Sequence, residues 1–139
     1  MKRKYGYVSE EGAFMSEAKK TALDQSLDPD WPTGVVVVKN NKIIGKGANG
    51  SEYHLKYGCE RKRRGLPTGE GYEFCEGCQP KNHAEQKAQL MAGADVYMWG
   101  HWWCCEPCWQ VMIDAGIKKV YLMKEAHVRF NKNRNSRIN

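Results

Sequence analysis

The order of helices and strands predicted along this chain indicates an α/β protein, a three-layer α/β/α sandwich with a mixed sheet of four or five strands. Three observations support this fold class. A helix comes first, two short apolar strands follow with a tight turn between them, and the second half alternates helix, strand, helix and strand. A hairpin is antiparallel, whereas two strands joined through a helix lie parallel in one sheet. The chain of 139 residues is long enough for one domain with a buried core.

The first half of the chain predicts one helix and one hairpin. Residues 11–26 place apolar side chains on one helical face, and an Asp-Pro pair ends the helix. Residues 34–39, which include four successive valines, and residues 42–47 are predicted as strands. An Asn-Asn pair lies between them, and asparagine tolerates the left-handed backbone of a tight turn. These two strands are therefore expected to pair antiparallel.

The second half of the chain predicts two helices and two strands in alternation. The helices are residues 83–92 and residues 106–115, and Gly116 ends the second. The strands are residues 95–99 and residues 118–123. This alternation predicts a βαβ unit in the same sheet as the hairpin.

Two regions of the chain contain no predicted helix or strand, and they define the expected domain organisation. Residues 1–139 are expected to form a single domain with a Cys-rich, irregular insertion at about residues 50–82. A polar tail at about residues 131–139 is expected to be loose. We find no repeats and no low-complexity tract.

Two short motifs together contain the side chains of a catalytic zinc site. The first is His83-Ala84-Glu85, and the second is a Cys-Cys-Glu-Pro-Cys run that contains Cys105 and Cys108. One imidazole and two thiolates are three zinc ligands, and a tetrahedral zinc with three protein ligands keeps its fourth position open for water. Cys-x-x-Cys spacing places both thiolates on one turn of a helix. Glu85 is not needed as a ligand, so it is free to move protons to and from that water.

A His-x-Glu motif with a later Pro-Cys-x-x-Cys motif is typical of zinc-dependent nucleobase deaminases, and this chain resembles the cytidine deaminase superfamily. One position departs from the pattern, because Cys104 stands where the family usually has proline before its first cysteine ligand. The resemblance is closest to deoxycytidylate deaminases and covers about residues 12–123. It implies a cytidine deaminase-like fold and a zinc-dependent hydrolase of pyrimidine nucleotide metabolism. The leading reaction is dCMP to dUMP with release of ammonia, and cytidine or deoxycytidine are the neighbouring alternatives as substrate.

The resemblance also implies roles for single residues. Glu85 would carry a proton from water to the ring nitrogen beside the carbon under attack, and would then protonate the leaving amine. Asn49 lies in a segment that resembles the family's Gly-Tyr-Asn-Gly turn and would hydrogen-bond the substrate sugar, although a turn asparagine also has a purely structural use. The family's fifth strand would follow Met123. Only sixteen residues remain there, so that strand is expected to be short or missing.

A second group of cysteines, Cys59, Cys75 and Cys78, lies in the insertion. Cys75 and Cys78 have the spacing of half a zinc site, and a structural zinc would order a long irregular loop. Some deoxycytidylate deaminases resemble this chain in carrying an extra zinc in the corresponding insertion. His54 is the first choice for a fourth ligand and His101 the second. Reduced thiols without metal are the alternative.

Two further features bear on the substrate. Arg63 and Arg64 end a run of four cations at residues 61–64, which can pair with a nucleotide phosphate but is also typical of a solvated surface. Trp102 precedes the cysteine ligands and can stack on the target base, or can pack in the core.

Two other functions remain open at this point. A deaminase that acts on a base in single-stranded DNA or RNA fits the formal charge of +6 and the Trp102-Trp103 pair. A non-catalytic zinc module that binds nucleic acid through its basic loop is the other. Glu85 weighs against the module, because a structural site has no use for a carboxylate beside an open metal position.

The expected environment is the cytoplasm, where cysteines stay reduced and favour metal. The basic start of the chain leads into no apolar segment of a signal peptide, and the longest aliphatic run has four residues. The expected partners are a small nucleotide substrate and further copies of the chain in a homo-oligomer, without a membrane.

Overall fold

The computed structural model describes residues 5–28, 31–51, 56, 60–65 and 83–130. Its strands are β1 (Tyr5–Val8), β2 (Gly34–Lys39), β3 (Lys42–Ala48), β4 (Asp95–Trp99) and β5 (Lys119–Met123). Its helices are α1 (Ala13–Gln25), α2 (Glu60–Arg63), α3 (Ala84–Lys87), α4 (Glu106–Asp114) and α5 (Ala126–Arg129). The ends of α1, β2, β3, β4, α4 and β5 agree with the sequence-based prediction to within two residues.

The five strands form one mixed sheet in the order β1-β5-β4-β2-β3. β4 and β5 run parallel and are joined through α4, whereas β2 pairs antiparallel with both β3 and β4. The turn between β2 and β3 is made by Asn40 and Asn41, whose φ angles are 53° and 62°. Positive φ at both positions is what a two-residue hairpin turn of this kind requires. The predicted α/β class with a mixed sheet is confirmed.

Two glycines show that helices cover both faces of the sheet. Gly34 in β2 lies so close to α1 that a Cβ would stand 2.5 Å from the backbone nitrogen of Ala22. Gly47 in β3 lies as close to α3, where a Cβ would stand 2.5 Å from the carbonyl oxygen of Ala84. Gly47 pairs with Val35, the neighbour of Gly34, and successive strand residues point to opposite faces. Therefore α1 and α3 pack on opposite sides of the sheet.

The hydrophobic core lies on both sides of the central strand β2. Val35, Val36 and Val37 have no exposed surface, so consecutive side chains of one strand are buried on alternate faces. A continuous valine run is typical of a strand that is covered on both faces. Met15 of α1 and Met112 of α4, each 1% exposed, contribute to the core from the two helical layers.

The fifth strand is not where the sequence placed it. The family resemblance placed it after Met123 and made it short or missing; residues 124–130 contain no strand, and the edge position beside β5 is instead taken by β1. β1 pairs parallel with β5, with Tyr5 opposite Val120. Gly6 allows this pairing, because any Cβ there would stand 2.5 Å from the ring of Tyr121. The sequence of β1 alone did not predict a strand, because this short segment contains a single aliphatic residue.

The helix predicted over residues 83–92 is much shorter than expected. It ends at Lys87, and Ala88 already has an extended backbone with φ −76° and ψ 153°. The residues that would continue the helix lie against β3 instead. A Cβ on Gly45 of β3 would be 3.0 Å from the carbonyl oxygen of Gln89. Packing against the sheet thus overrides the helical pattern of the local sequence.

The predicted tail at residues 131–139 and most of the predicted insertion at residues 50–82 lie outside the described residues. The described part of that insertion includes α2. Among the described residues, every helix is too short or too polar to span a membrane.

Candidate active site

The three predicted metal ligands lie at the starts of two helices on the same face of the sheet. His83 is the residue immediately before α3, and Cys105 is the residue immediately before α4. Pro107 occupies the first turn of α4, where the missing N–H of proline costs nothing. Cys108 lies within that turn, and the backbone N–H of Trp109 donates to the carbonyl of Cys105 at 2.9 Å. The Cys-x-x-Cys spacing therefore brings both thiols to one helix start.

The ligand atoms of these residues converge. His83 Nδ1 lies 3.3 Å from Cys105 Sγ and 3.4 Å from Cys108 Sγ, and all three ligand atoms lie within 4.8 Å of one another. Cys105 is 5% exposed and Cys108 is fully buried. One imidazole and two thiols at such separations are a donor set that suits tetrahedral zinc with one position left for another ligand.

The charges of the two thiols also fit a bound cation. A hydrogen bond from Cys108 is the main cause that lowers the pKa of Cys105 to about 5, and His83 acts in the same direction. That shared proton, together with burial, raises the pKa of Cys108. Two thiols this close do not both lose their protons unless a positive charge neutralises the resulting thiolates. A divalent cation held by the three residues would supply it.

Glu85 lies beside these ligands in α3 and is 4% exposed. Burial raises its pKa, whereas the neighbouring His83 and a hydrogen bond with the Cys104 side chain act in the opposite direction. Glu85 does not belong to the group of converging ligand atoms. A buried carboxyl group with a raised pKa, next to a metal site but outside the ligand set, is suited to accept and return protons.

Gln86, the next residue of α3, contacts the second thiol. Its side-chain amide donates to Cys108 Sγ at 3.4 Å. A hydrogen bond to a metal-ligating sulfur orients that ligand and spreads its negative charge. Gln86 was missed in the sequence, because its role depends on α3 and α4 lying side by side.

Asn49 ties together the loops that follow α1 and β3. Its side-chain oxygen accepts hydrogen bonds from the Ser26 hydroxyl at 2.6 Å and from the Thr33 backbone N–H at 2.9 Å. Its side-chain nitrogen donates to the Trp31 carbonyl at 2.9 Å. These contacts give Asn49 a structural use at this end of the sheet. Sugar binding through the remaining amide hydrogen stays a prediction.

An aromatic cluster lies between the metal ligands and the loop after α1. The rings of His101 and Trp102 stack with centroids 4.6 Å apart and planes 4° from parallel, and Trp31 stacks on His101 at 5.3 Å. Trp102 also packs against the hydrophobic core. Burial lowers the pKa of His101 to about 3, so its ring is neutral at physiological pH. Trp31 was missed in the sequence, because it lies some seventy residues from its stacking partners.

The basic run has one arginine closer to this cluster than the other two. Arg63 and Arg64 are exposed, whereas Arg61 is partly buried, and its charge is one of the causes that lower the pKa of His101. Arg63 and Arg64 were predicted to pair with a phosphate, whereas Arg61 was not singled out within the run. The predicted second cluster, Cys59, Cys75, Cys78 and His54, lies outside the described residues.

Comparisons with known proteins give a family match and two structures of similar fold. The profile of the family described as "Cytidine and deoxycytidylate deaminase zinc-binding region" matches residues 8–124. The dCMP deaminase of cyanophage S-TIM5 in its apo form has a similar fold, with a TM-score of 0.52 and 22% sequence identity over 87% of this chain and 88% of that one. The same enzyme in complex with dCMP and dUMP gives a TM-score of 0.53 and 23% identity over 88% and 85% of the two chains.

Proposed function

Because this chain belongs to the cytidine and deoxycytidylate deaminase family, whose defining region binds zinc, we propose that it catalyses the zinc-dependent hydrolytic deamination of a cytosine nucleotide. The reaction that we propose is dCMP plus water to dUMP plus ammonia. The observation that carries the proposal is the position of Glu85, buried beside His83 and Cys105 but outside the ligand group. A structural metal site has no need of such a carboxyl group.

His83, Cys105 and Cys108 are the residues that would hold the zinc ion. When bound, zinc supplies a Lewis acid that makes water a better nucleophile near neutral pH. The two thiolates and the neutral imidazole offset the charge of the ion, so a base has to assist. Gln86 holds Cys108 in place through its side-chain amide.

Glu85 is that base and, later in the same cycle, an acid. It accepts the proton of the attacking water and delivers it to the ring nitrogen beside the carbon under attack. It then takes the second proton, from the new hydroxyl group on that carbon, and delivers it to the amino group, so that the C–N bond breaks and ammonia departs. Burial raises the pKa of Glu85 from its ordinary value towards neutral pH, and a carboxyl group with such a pKa both accepts and releases protons more readily.

We assign the recognition of the nucleotide to three groups of side chains. Trp102, which is partly buried, can stack on the cytosine ring, and Asn49 can donate its remaining amide hydrogen to the sugar. Arg63 and Arg64, with the partly buried Arg61, can bind the 5′-phosphate, because guanidinium groups form charge-assisted, bidentate bonds with phosphate oxygens.

A substrate panel tests the proposal. Ammonia release should be measured with dCMP, CMP, deoxycytidine, cytidine, cytosine-containing single-stranded DNA and an adenosine-bearing RNA hairpin. Phosphate binding by the arginines should raise kcat/KM for dCMP about 100-fold over deoxycytidine, since several charge-assisted hydrogen bonds would be lost with the nucleoside. Arg61→Ala, Arg63→Ala and Arg64→Ala should lower this ratio and leave deoxycytidine turnover unchanged.

The control for charge alone is Lys42→Ala, since Lys42 is exposed at the far end of β3 from the site. It should leave the ratio unchanged. Turnover of an oligonucleotide, with none of dCMP and with a steep loss of activity in salt, would replace our choice by a deaminase of single-stranded nucleic acid. Absence of turnover on every substrate, together with binding of nucleic acid, would indicate a non-catalytic zinc module.

Two further expectations belong to this proposal. We expect a homo-oligomer in solution, which light scattering of the purified protein measures directly. We also expect the protein in the cytoplasm, where cysteine ligands stay reduced.

A further inference from the structure

Trp31, in the loop after α1, contacts two residues that the proposed function assigns to substrate recognition. Its backbone carbonyl accepts a hydrogen bond from the side-chain nitrogen of Asn49 at 2.9 Å. Its ring stacks on Trp102, with centroids 5.8 Å apart and planes 22° from parallel. Asn49 is assigned to the sugar and Trp102 to the base, and the two lie on different loops. Trp31 therefore joins them, although the proposed reaction gives it no part.

The indole of Trp31 is fixed against the loop that leads to Trp102. Its ring N–H donates to the carbonyl oxygen of Gly100, the first residue after β4. Gly100 has a φ angle of 105°, and a Cβ there would stand 2.3 Å from the carbonyl oxygen of Pro32. The backbones of the two loops are thus in direct contact, because glycine leaves room for it. A ring held by a hydrogen bond between two packed loops has little freedom to move.

Trp31, His101 and Trp102 form a compact group of three rings. The centroids of His101 and Trp102 are 4.6 Å apart, and the Trp31 centroid lies 5.3 Å from the first and 5.8 Å from the second. Aromatic rings attract each other at such distances. In a straight column the two outer rings would be out of contact, whereas here each ring contacts both of the others. Removing the Trp31 ring therefore removes packing from Trp102 directly, and also from its neighbour His101.

The contact with Trp31 also determines how the Asn49 amide is oriented. A carbonyl oxygen only accepts hydrogen bonds, so the end of the amide that faces Trp31 is the NH2 group. The other end is the oxygen, which accepts from the Ser26 hydroxyl and the Thr33 backbone N–H. One amide hydrogen is thus used within the protein, and the second remains for a ligand. A shift of the Trp31 backbone would change the direction of that hydrogen.

We propose that Trp31 is a positioning residue for substrate recognition, which holds the ring of Trp102 and the amide of Asn49 in the orientations that bind the base and the sugar. The inference rests on the proposed function, since that function assigns these two contacts to the substrate. Recognition groups that are already ordered lose less freedom when the substrate binds. Trp31 should therefore strengthen binding of the nucleotide and leave the proton transfers of Glu85 unchanged.

Steady-state kinetics with dCMP test this role. Trp31→Ala should raise KM about five- to twentyfold, because the recognition groups must then be ordered during binding. Its kcat should stay within about twofold of wild type and its zinc content should be unchanged, since the variant keeps the metal ligands and the base. Trp31→Phe keeps a ring but loses the bond to Gly100, so KM should rise by a smaller factor. This second variant decides the question if Trp31→Ala does not fold.

Tyr121→Ala is the matched control for the loss of a partly buried, stacked ring. Tyr121 stacks on Tyr97 with centroids 4.6 Å apart. Tyr97 contacts Phe14 of α1, so this stack lies on the face of the sheet opposite α3. The control should lose stability as Trp31→Ala does, but its KM for dCMP should equal that of wild type. An equal rise of KM in both variants would show that Trp31 acts through stability alone, and would overturn the inference.

A double substitution tests whether Trp31 acts through Trp102. Trp102→Ala removes the ring that is proposed to stack on the base and should raise KM by itself. In that background Trp31→Ala should raise KM by much less than it does in wild type, because the ring that it positions is already gone. Independent effects, in which the two factors multiply in full, would overturn the inference.

A nuclear magnetic resonance experiment needs no activity. The indole N–H signal of Trp31 is identified as the one that disappears in Trp31→Phe. In Trp102→Ala this signal should shift, because it loses the ring current of a ring whose centroid lies 5.8 Å away. In Tyr121→Ala it should not shift. A signal that stays in place in Trp102→Ala would overturn the inference whatever the activity of the protein.

The outcomes distinguish this inference from the proposed function. An active wild type with unchanged KM in Trp31→Ala and Trp31→Phe, or a loss of zinc in either variant, would overturn the positioning role and leave the deaminase proposal standing. A wild type that turns over none of the panel substrates would overturn the proposed function, and with it the substrate contacts that Trp31 is inferred to support.

Discussion

The indole N–H of Trp99 donates a hydrogen bond to the carboxylate of Glu10 at 3.0 Å. This bond joins the last residue of β4 to the loop between β1 and α1. The same carboxylate accepts a hydrogen bond from Lys19 at 2.9 Å and forms an ion pair with Arg129. Four elements of the fold therefore meet at one carboxyl group: β4, the loop after β1, α1 and α5.

Glu10 should make the stability of the fold depend on acid. The Trp99 hydrogen bond, with Lys19 and Arg129, lowers its pKa from 4.5 to about 2. Because the folded-state pKa is the lower one, Glu10 stabilises the fold above pH 4.5, and this contribution is lost as the pH falls towards 2. Urea unfolding of wild type and Glu10→Gln should show a less stable variant at pH 6 and a smaller difference at pH 3.

Comparing the two proteins cancels effects that they share, such as release of metal in acid. Glu11→Gln is the control, because Glu11 is exposed on the neighbouring position. A difference between wild type and Glu10→Gln that stayed constant from pH 6 to pH 3 would contradict the role of the ionised carboxylate.

Gly47 should be far less replaceable than Gly45, although both lie on the same face of β3. A Cβ at Gly47 would meet the carbonyl oxygen of Ala84 at 2.5 Å and push α3 away from the sheet, whereas a Cβ at Gly45 meets Gln89 at no less than 3.0 Å. Gly47→Ala should therefore destabilise the fold by about 1–3 kcal/mol, as overpacking does. Gly45→Ala should cost less in urea or thermal unfolding.

The same pair also tests the coupling of fold and site. Because α3 contains Glu85 and begins directly after His83, Gly47→Ala should lower zinc content and activity together. Equal effects of the two substitutions would contradict the packing of α3 on β3 described above.

Glu85→Gln should separate proton transfer from metal binding. Glutamine keeps the size and polarity of the side chain but accepts no proton, so zinc should remain while turnover falls by roughly 10²–10⁴-fold. Glu106→Gln is the control, since Glu106 is an exposed carboxyl group in the first turn of α4. Near-normal turnover in Glu85→Gln would show that another group moves the protons.

Metal analysis should count the zinc sites. His83→Ala should lose one zinc per chain together with all activity, because it removes one of three ligands. If Cys59, Cys75 and Cys78 form a second site, wild type should hold about two zinc ions per chain. Cys75→Ser should then lose one of them and unfold more easily, since structural zinc binding contributes folding free energy. An unchanged metal content in Cys75→Ser would exclude the second site.

Much of the fold followed from short stretches of sequence. The strands at residues 34–39 and 95–99 were predicted with the bounds that the structure has. Their apolar runs are covered on both faces, and that pattern needs no knowledge of the partner strands. The hairpin turn was equally local, because an Asn-Asn pair tolerates positive φ by its own side-chain chemistry.

The sequence by itself determined the two ligand motifs, His83 with Glu85 and Cys105 with Cys108, because the chemistry of the side chains and their spacing within one turn are local properties. Only the tertiary structure decided that β1 is the fifth strand, that α3 ends at Lys87, and that the backbone N–H of Cys104 donates to the hydroxyl of Tyr5. The physical reason is separation along the chain. Tyr5 and Cys104 are 99 residues apart, and such a contact forms only when the sheet brings both ends together.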